Sequence, residues 1–294
     1  MKKKAQQFQD QYDLLTNQLI DSIESNTLPK WFDGLAIRLG SRNVATGHTY
    51  TGANRLILAC QSYSDPAWST YKGWESLGYI VQKGEKSTGI CRPNPVKVDK
   101  VDGLGNKTGE KQVLNLFKTL PVFNGEQVRD SNGNCYKSEP AVTTDFNSIA
   151  NCESVVNAHN PNIKFKGDQP CYVPSQDMVV MPKPEHFTSN ENYYRTLFHE
   201  LAHWTSHVSR CDRKLGKRFG SADYAFEELV AELTSAFVSS DLNLTGQLEN
   251  HASYLQSWLK VLKDDNKALI KASRLAQTAS NFIMQREIEL KKAA

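Results

Sequence analysis

Two histidines and a glutamate in the C-terminal half have the spacing of a metal site. His199 and His203 are four residues apart within Thr196–Trp204, and Glu200 directly follows the first histidine. On a helix this spacing places both imidazoles on one face, where they can share one ion. Glu200 lies about 100° further round the helix and can point at a water molecule on that ion. The sequence therefore predicts a zinc-binding helix, with Mn²⁺ or another divalent ion as the alternative.

A catalytic zinc needs a third protein ligand, and the segment Tyr224–Leu233 offers two glutamates for this role. Glu228 and Glu232 are four residues apart on a predicted amphipathic helix. Acidic residues on an otherwise apolar helix face need a charge partner, which a metal ion and its histidines would supply. We predict Glu228 as the third ligand and Glu232 as the acceptor of a hydrogen bond from a ligand imidazole. The exchange of these two roles is the alternative.

Two neighbouring residues are predicted to lie outside the metal site. His207 follows His203 by four residues, but on a straight helix it would lie about 12 Å from His199 along the axis. That distance is too long for one small ion to bind all three imidazoles. Glu227 is expected to face a different side of its helix from Glu228 and to be solvated.

This set of residues predicts a zinc-dependent metallopeptidase with an H-E-x-x-H motif. Zinc lowers the pKa of the water molecule that it binds. Glu200 is the predicted general base that takes a proton from this water. Tyr193, Tyr194 and Tyr224 are candidates for stabilising the oxyanion formed from an amide carbonyl. The predicted strand Asp177–Met181 comes just before the metal-binding helix, and an extended peptide could pair with its edge.

Basic and aromatic residues are interleaved between positions 38 and 86. Cationic side chains contact phosphates and aromatic faces stack on unpaired bases, so the pattern predicts non-specific binding of single-stranded DNA. Residues 1–140 also carry 18 Lys and Arg against 14 Asp and Glu, which favours an anionic partner. The other interpretation is that the aromatic residues form a core, as is expected for Trp74 and Tyr79. The predicted DNA-contacting residues are Arg38, Arg42, Asn43, Tyr50, Arg55, Trp68, Tyr71, Lys72, Lys83 and Lys86.

The spacing of apolar residues predicts an α+β protein with two domains. The first half is expected to hold a helix over residues 6–26, short strands and helices, and a hairpin with its tip between residues 99 and 110. The second half is expected to be mainly helical with a small sheet. We predict a DNA-binding domain over residues 1–130, a linker over residues 131–148 and a metallopeptidase domain over residues 149–294. The predicted helices of the second half cover residues 148–158, 190–209, 224–242, 251–263 and 266–290.

Composition predicts a protein of the cytoplasm. No segment approaches the roughly 18 consecutive apolar residues that a membrane-spanning helix needs. The basic residues Met1–Lys4 precede polar residues, so the N-terminus does not read as a secretory signal. The six cysteines form no C-x-x-C pair and are expected to be reduced thiols.

The two halves of the chain resemble a single protein family. Asn43–Asn54 and Gln82–Lys86 resemble the N-terminal domain of ArdC-type antirestriction proteins and TraC-type plasmid primases. Asp177–Pro182, Tyr193–Trp204 and Tyr224–Glu232 resemble the zincin-like metallopeptidase domain of the same proteins. The resemblance implies a bacterial plasmid protein that binds single-stranded DNA and shields incoming conjugative DNA from restriction. It also implies a zincin-like fold for the second half.

Two functional hypotheses follow. In the first, the chain is a metalloprotease with an unidentified protein substrate, such as a component of the restriction system. In the second, the protein protects DNA by coating it, and the metal site is structural or not needed for protection. A closed structural zinc site needs a fourth protein ligand. No residue at a suitable spacing supplies one, which favours an open metal site that holds a water molecule, but an open site does not establish that proteolysis protects the DNA.

Overall fold

The α+β class is confirmed by a computed structural model of the chain. Apart from a few isolated positions, the structure describes residues 40–61, 63–101, 107–138, 148–215, 221–244 and 252–286. Seven α-helices and nine strands lie within these ranges. Arg38, most of the predicted helix over residues 6–26 and half of the predicted linker lie outside them.

A four-stranded sheet that continues into a long β-ribbon forms the N-terminal part. β1 (Arg42–Asn43) pairs in parallel with β2 (Ala67–Ser69), and β2 pairs antiparallel with the end of β5 (Lys107–Asn124). β5 also pairs antiparallel with β4 (Thr88–Val101) along almost the whole length of β4. The predicted hairpin is thus confirmed, with its tip between β4 and β5.

Two short helices and a two-stranded sheet complete the N-terminal part. They are α1 (Gly52–Ala59), α2 (Tyr71–Ser76), β3 (Ile80–Val81) and β6 (Val128–Arg129). α2 begins after Thr70, whose hydroxyl accepts a hydrogen bond from the Gly73 N–H. Trp74 of α2 is fully buried and donates its indole N–H to the Phe123 carbonyl. Trp74 is therefore a core residue, as predicted.

Five helices and a three-stranded sheet form the C-terminal part. The helices are α3 (Ser148–His159), α4 (Asn190–Trp204), α5 (Ala222–Asp241), α6 (Ala252–Asp264) and α7 (Ala268–Ile283). The strands are β7 (Asn162–Phe165), β8 (Cys171–Val173) and β9 (Met178–Met181). Among the described residues, no helix is both long enough and apolar enough to cross a membrane.

The small sheet does not offer the edge that the sequence predicts. β9 lies in its centre, parallel to β7 on one side and antiparallel to β8 on the other. Both sides of β9 are therefore paired, and the prediction that an extended peptide pairs with this strand is wrong. β8 is the edge strand on the side of α4.

Helix α5 is the centre of the C-terminal part. Every residue from Glu227 to Ser240 is buried, because α4, α6 and α7 pack around the helix. A helix that is buried on all sides has no solvent-facing side for a charged residue. The carboxylates of α5 must therefore find their partners inside the protein.

The two predicted domains share a hydrophobic core. Leu56 and Ile57 of α1 belong to the same buried cluster as Leu233 of α5, Trp258 of α6 and Leu269 of α7. Apolar burial of this kind is worth about 25 cal/mol per Å². The N-terminal helix α1 is thus part of the interior that supports α5.

Arg55 of α1 lies inside this contact and is 1% exposed. Its guanidinium pairs with Asp241 at 2.5 Å, donates to the Phe237 carbonyl and lies 4.8 Å from the centre of the Phe237 ring. A side chain held in this way cannot reach a phosphate on the surface. The prediction that Arg55 contacts DNA is therefore wrong.

Candidate metal centre

Helix α4 carries the two histidines and the predicted general base. The helix begins after Ser189, whose hydroxyl accepts a hydrogen bond from the Asn192 N–H. Leu197, Phe198 and Leu201 are buried in a cluster with the small sheet and α3. This apolar side fixes the rotation of α4, so that the histidine side faces α5.

Three potential ligand atoms come together between α4 and α5. The Nε2 atoms of His199 and His203 are 3.2 Å apart. Oε2 of Glu228 lies 3.3 Å from Nε2 of His199, and Oε1 lies 3.6 Å from Nε2 of His203. A tetrahedral zinc ion with ligands at about 2.0–2.1 Å has ligand atoms roughly 3.3 Å apart. The three side chains therefore fit one divalent ion, and they form the candidate metal group found among the described residues.

The Glu228 carboxylate is buried without enough hydrogen-bond donors. Its Oε2 accepts no hydrogen bond from the residues that the structure describes. Burial would raise the pKa of Glu228, but the side chains of His199 and His203 outweigh it and hold the pKa well below its usual range. A buried, ionised carboxylate needs a positive partner. A divalent cation between the three side chains satisfies this need.

Each of the two histidines has a further carboxylate behind its ring. Nδ1 of His199 is 3.3 Å from Oε1 of Glu232, and Nδ1 of His203 is 3.6 Å from Oε1 of Glu227. Such carboxylates orient the imidazole of a metal ligand and make it more basic. Glu227 is 4% exposed, so the prediction that it is solvated is wrong.

These carboxylates also change the acidity of the histidines. Burial would lower the pKa of His203, but Glu227 and Glu228 outweigh burial and raise the pKa to about 9. Burial likewise would lower the pKa of His199, and Glu232 and Glu228 raise it well above its usual value. A histidine must lose its proton from the ligating nitrogen to bind a metal. Binding of a metal ion at this position therefore releases protons.

Glu200 borders an open cleft of about 310 Å³ beside the three ligand atoms. Burial raises the pKa of its carboxyl group, while the Tyr172 backbone N–H donates to the carboxylate. A carboxyl group with a raised pKa is suited to taking and returning a proton near neutral pH. The cleft is lined by Pro170, Cys171, Tyr172, Pro174, His199, Glu200, His203, Leu215, Tyr224, Glu227 and Glu228.

The structure separates the three tyrosines that the sequence offers for oxyanion stabilisation. Tyr224 lines the cleft. Tyr193 and Tyr194 are buried in the core, where the Tyr194 hydroxyl lies 3.3 Å from Glu153, so both are wrong as candidates. Tyr172, which lines the cleft from the edge strand β8, was not among the predicted site residues. The sequence feature that could have identified Tyr172 is the short apolar run Cys171–Val173. This run lies shortly before the strand that leads to the metal-binding helix.

The chain leaves helix α4 at Trp204, before the predicted end at Ser209. Arg210 lies with its guanidinium 3.8 Å above the Trp204 ring and donates to the Trp204 carbonyl and to Asp177. His207 is half-buried, with Nδ1 2.8 Å from the Ser209 hydroxyl. It lies outside the metal group, as predicted, although the helix has already ended.

Five predicted DNA-contacting residues are exposed on the N-terminal part. They are Arg42, Tyr71, Lys72, Lys83 and Lys86. Tyr71 is 51% exposed, and it is the exposed aromatic side chain of this set. Cations and one aromatic face therefore remain available to a ligand on this surface.

Three other predicted contacts have structural roles. Tyr50 and Trp68 are 5% and 1% exposed and belong to one core cluster with Ile90. The prediction that these two aromatic residues stack on bases is wrong because neither ring reaches the surface. The half-buried Asn43 uses its side-chain oxygen to accept hydrogen bonds from the N–H groups of Ala45 and Thr46. This side chain shapes the turn that follows β1.

Two family matches cover most of the chain. Residues 9–123 match the N-terminal domain of anti-restriction factor ArdC, and residues 150–275 match a zincin-like metallopeptidase family. The Sinorhizobium fredii protein y4eC is 33% identical over 285 residues, which cover 93% of this chain and 91% of that protein. Two Escherichia coli proteins named DNA primase TraC are 32% and 31% identical over 288 and 289 residues. The matches cover 93% of this chain but only 20% and 27% of the primases.

Two crystal structures of the antirestriction protein ArdC from plasmid R388 share this fold. The metal-free structure is 28% identical, with a TM-score of 0.71, and the match covers 94% of this chain and 97% of that one. The Mn(II)-bound structure is 28% identical, with a TM-score of 0.73, and the match covers 95% of this chain and 99% of that one.

Proposed function

The chain belongs to the ArdC-type family, and on that premise we propose that it is a plasmid antirestriction protein that binds single-stranded DNA and cleaves a protein at a zinc site. The observation that carries the peptidase part is the group of His199, His203 and Glu228, with Glu200 beside it in an open cleft. The Mn(II)-bound structure of the R388 relative supports a divalent ion as the cofactor.

In the proposed reaction, the protein holds the ion and moves the protons. A zinc ion held by His199, His203 and Glu228 supplies Lewis acidity for a water molecule and for a substrate carbonyl. Glu200 takes a proton from the attacking water and passes it to the leaving amine. Tyr224, which lines the cleft, would donate a hydrogen bond to the carbonyl oxygen as negative charge develops there.

The edge strand β8 is the proposed support for an extended peptide. The Tyr172 N–H points away from β9 and towards Glu200. In a strand, the N–H and C=O groups of one residue point towards the same neighbour. The Tyr172 carbonyl therefore also faces the cleft, where it can accept a hydrogen bond from a substrate N–H. This contact aligns the peptide with the ion and with Glu200.

The exposed residues of the N-terminal part are the proposed contacts with DNA. Arg42, Lys72, Lys83 and Lys86 would contact phosphates, and Tyr71 would stack on a base. Contacts of this kind do not depend on the base sequence, so they would allow the protein to protect any incoming strand. In the alternative function, the protein coats single-stranded DNA and the metal site is structural or dispensable for protection.

A substitution of the general base tests the choice between these functions. Glu200→Ala removes the proton carrier without removing a metal ligand, so we expect peptide cleavage to fall by about 10²–10⁴-fold. Protection of transferred DNA should fall with it. The exposed Glu185, in the turn before α4, supplies the control Glu185→Ala, which should leave both measurements unchanged. Full protection by a cleavage-deficient Glu200→Ala protein would overturn the proteolytic mechanism in favour of coating.

A further inference from the structure

A buried ion pair lies directly behind the metal ligand His203. Arg213 donates from Nη2 to Oε1 of Glu227 at 2.7 Å and from Nε to Oε2 at 3.3 Å. Both side chains are 5% exposed. Oε1 of Glu227 is also the atom that faces Nδ1 of His203. One carboxylate oxygen thus joins the arginine to the back of the imidazole.

The guanidinium of Arg213 is fixed by more than this carboxylate. Its Nη1 donates to the Thr205 hydroxyl at 2.8 Å, and its Nη2 donates to the Ala202 carbonyl at 2.7 Å. The last carbonyls of a helix have no partner within the helix, and a cation at that end is favoured by the helix dipole. Arg213 therefore completes the C-terminal end of α4, the helix that carries His203.

The segment that supplies Arg213 is itself held against the end of α4. The Cys211 N–H donates to the Thr205 carbonyl at 2.8 Å, and the Arg213 N–H donates to the Ser206 carbonyl at 2.9 Å. These backbone contacts leave the guanidinium little freedom. Arg213 in turn holds the Glu227 carboxylate in place, and this carboxylate lies against the ring of His203.

The charges of the site explain why this arginine is needed. Glu200, Glu227, Glu228 and Glu232 are all buried around the two histidines. A divalent ion offsets only two negative charges, and a buried carboxylate without a partner is strongly destabilising. The buried Arg195 interacts electrostatically with Glu232, and Arg213 supplies the positive charge beside Glu227. Arg213 lies on the side of His203 away from the ligand atoms, where it leaves the cleft open.

We propose that Arg213 and Glu227 are positioning residues of the metal centre. Arg213 fixes the Glu227 carboxylate, which accepts the Nδ1 proton of His203 and keeps Nε2 directed at the ion. This inference rests on the metal site of the proposed function. It adds a second imidazole support to the one that Glu232 gives to His199.

Chelator competition for Zn²⁺ with purified full-length protein tests this assignment. Glu227→Gln keeps the shape of the side chain but removes its charge, and we expect zinc affinity to fall by roughly 10–100-fold. Arg213→Gln should lower the affinity in the same range, and Arg213→Lys should restore part of it because the positive charge returns. Asp223→Asn makes the same chemical change at an exposed position of the same helix and should bind zinc like the wild type.

Two further measurements separate positioning from folding. EDTA-treated Glu227→Gln should have a lower thermal midpoint than EDTA-treated wild type, because the buried Arg213 loses its charge partner, but it should still be folded at the temperature of the zinc titration. The visible absorption of the Co²⁺-loaded variant should differ from that of the wild type, because the angle of the His203 ring changes. A variant with wild-type zinc affinity, or one whose lower affinity is matched by unfolding of the EDTA-treated protein, overturns the inference. A wild-type protein that binds no divalent ion would instead overturn the metal site of the proposed function.

Discussion

The metal centre and the predicted DNA-contacting surface differ in how far local sequence determines them. His199 and His203 are neighbours because one helical turn makes them so, whatever else the chain does. The DNA-contacting residues come from several short elements, and their exposure depends on how those elements pack. Arg55 and Trp68 carry the right chemistry and are nevertheless buried. Spacing within one helix therefore predicts geometry, whereas a mixture of residue types along a region does not distinguish surface from core.

The largest expected effect concerns Arg55, which was predicted from the sequence to contact DNA but is buried. Arg55→Ala leaves Asp241 buried beside fewer partners and should lower the free energy of unfolding by about 3–5 kcal/mol. Arg42→Ala, at an exposed position of β1, should change stability by less than about 0.5 kcal/mol and weaken DNA binding instead. Chemical denaturation and a DNA-binding titration measure the two effects. A stable Arg55→Ala protein that only loses DNA affinity would reverse the distinction between these two arginines.

The roles of the two glutamates within the metal centre give the next largest effect. Glu228→Ala removes a proposed ligand, so metal affinity should fall by more than the roughly 10–100-fold expected for a residue that only orients a ligand. Glu232→Ala should stay within that range, because its Oε1 faces Nδ1 of His199 rather than the ligand atoms. Elemental analysis after dialysis against a weak chelator compares them. The opposite order would mean that the two roles are exchanged.

The smallest effect concerns Tyr71, the exposed aromatic residue of the predicted DNA-contacting surface. Tyr71→Ala should weaken binding of a single strand by about 1–3 kcal/mol, the usual value of one stacking contact. Tyr50→Leu is the control, since it also removes an aromatic ring, but one that is buried and should not contact DNA. Fluorescence anisotropy with a labelled oligonucleotide measures both. Equal losses of DNA affinity in the two variants would mean that burial does not distinguish residues that contact DNA from residues that do not.

Sequence periodicity predicted the elements of the C-terminal part well, and the exceptions have physical causes. The helix with the histidines ends at Trp204 because Arg210 and Arg213 bind its last carbonyls. That contact comes from residues beyond the helix and is not visible in its apolar pattern. The central position of β9 was missed because it depends on pairing with both β7 and β8.

Glu227 shows what the sequence could have revealed about the candidate site. Helical geometry turns Glu227 by about 100° from Glu228. Both carboxylates nevertheless lie 3.6 Å from the His203 ring and line the same cleft, so the prediction that Glu227 faces away from the site is wrong. The prediction that Glu227 is solvated would require a solvent-exposed side of α5, and the helix has none between Glu227 and Ser240. From Leu229 to Ser240 the helix carries only one charged residue, Glu232, which is typical of a helix buried on all sides. That composition was the signal that Glu227 needed an internal partner such as Arg213.

Helix α1 makes each half of the chain depend on the sequence of the other half. Its residues Leu56 and Ile57 are packed among α5, α6 and α7, so the N-terminal sequence supplies part of the interior behind the metal centre. Replacing one half with that of a relative would therefore change the core as well as the surface. The similarity to y4eC and to the TraC primases extends over 285–289 residues and includes both halves. The two halves are therefore expected to work only as a matched pair.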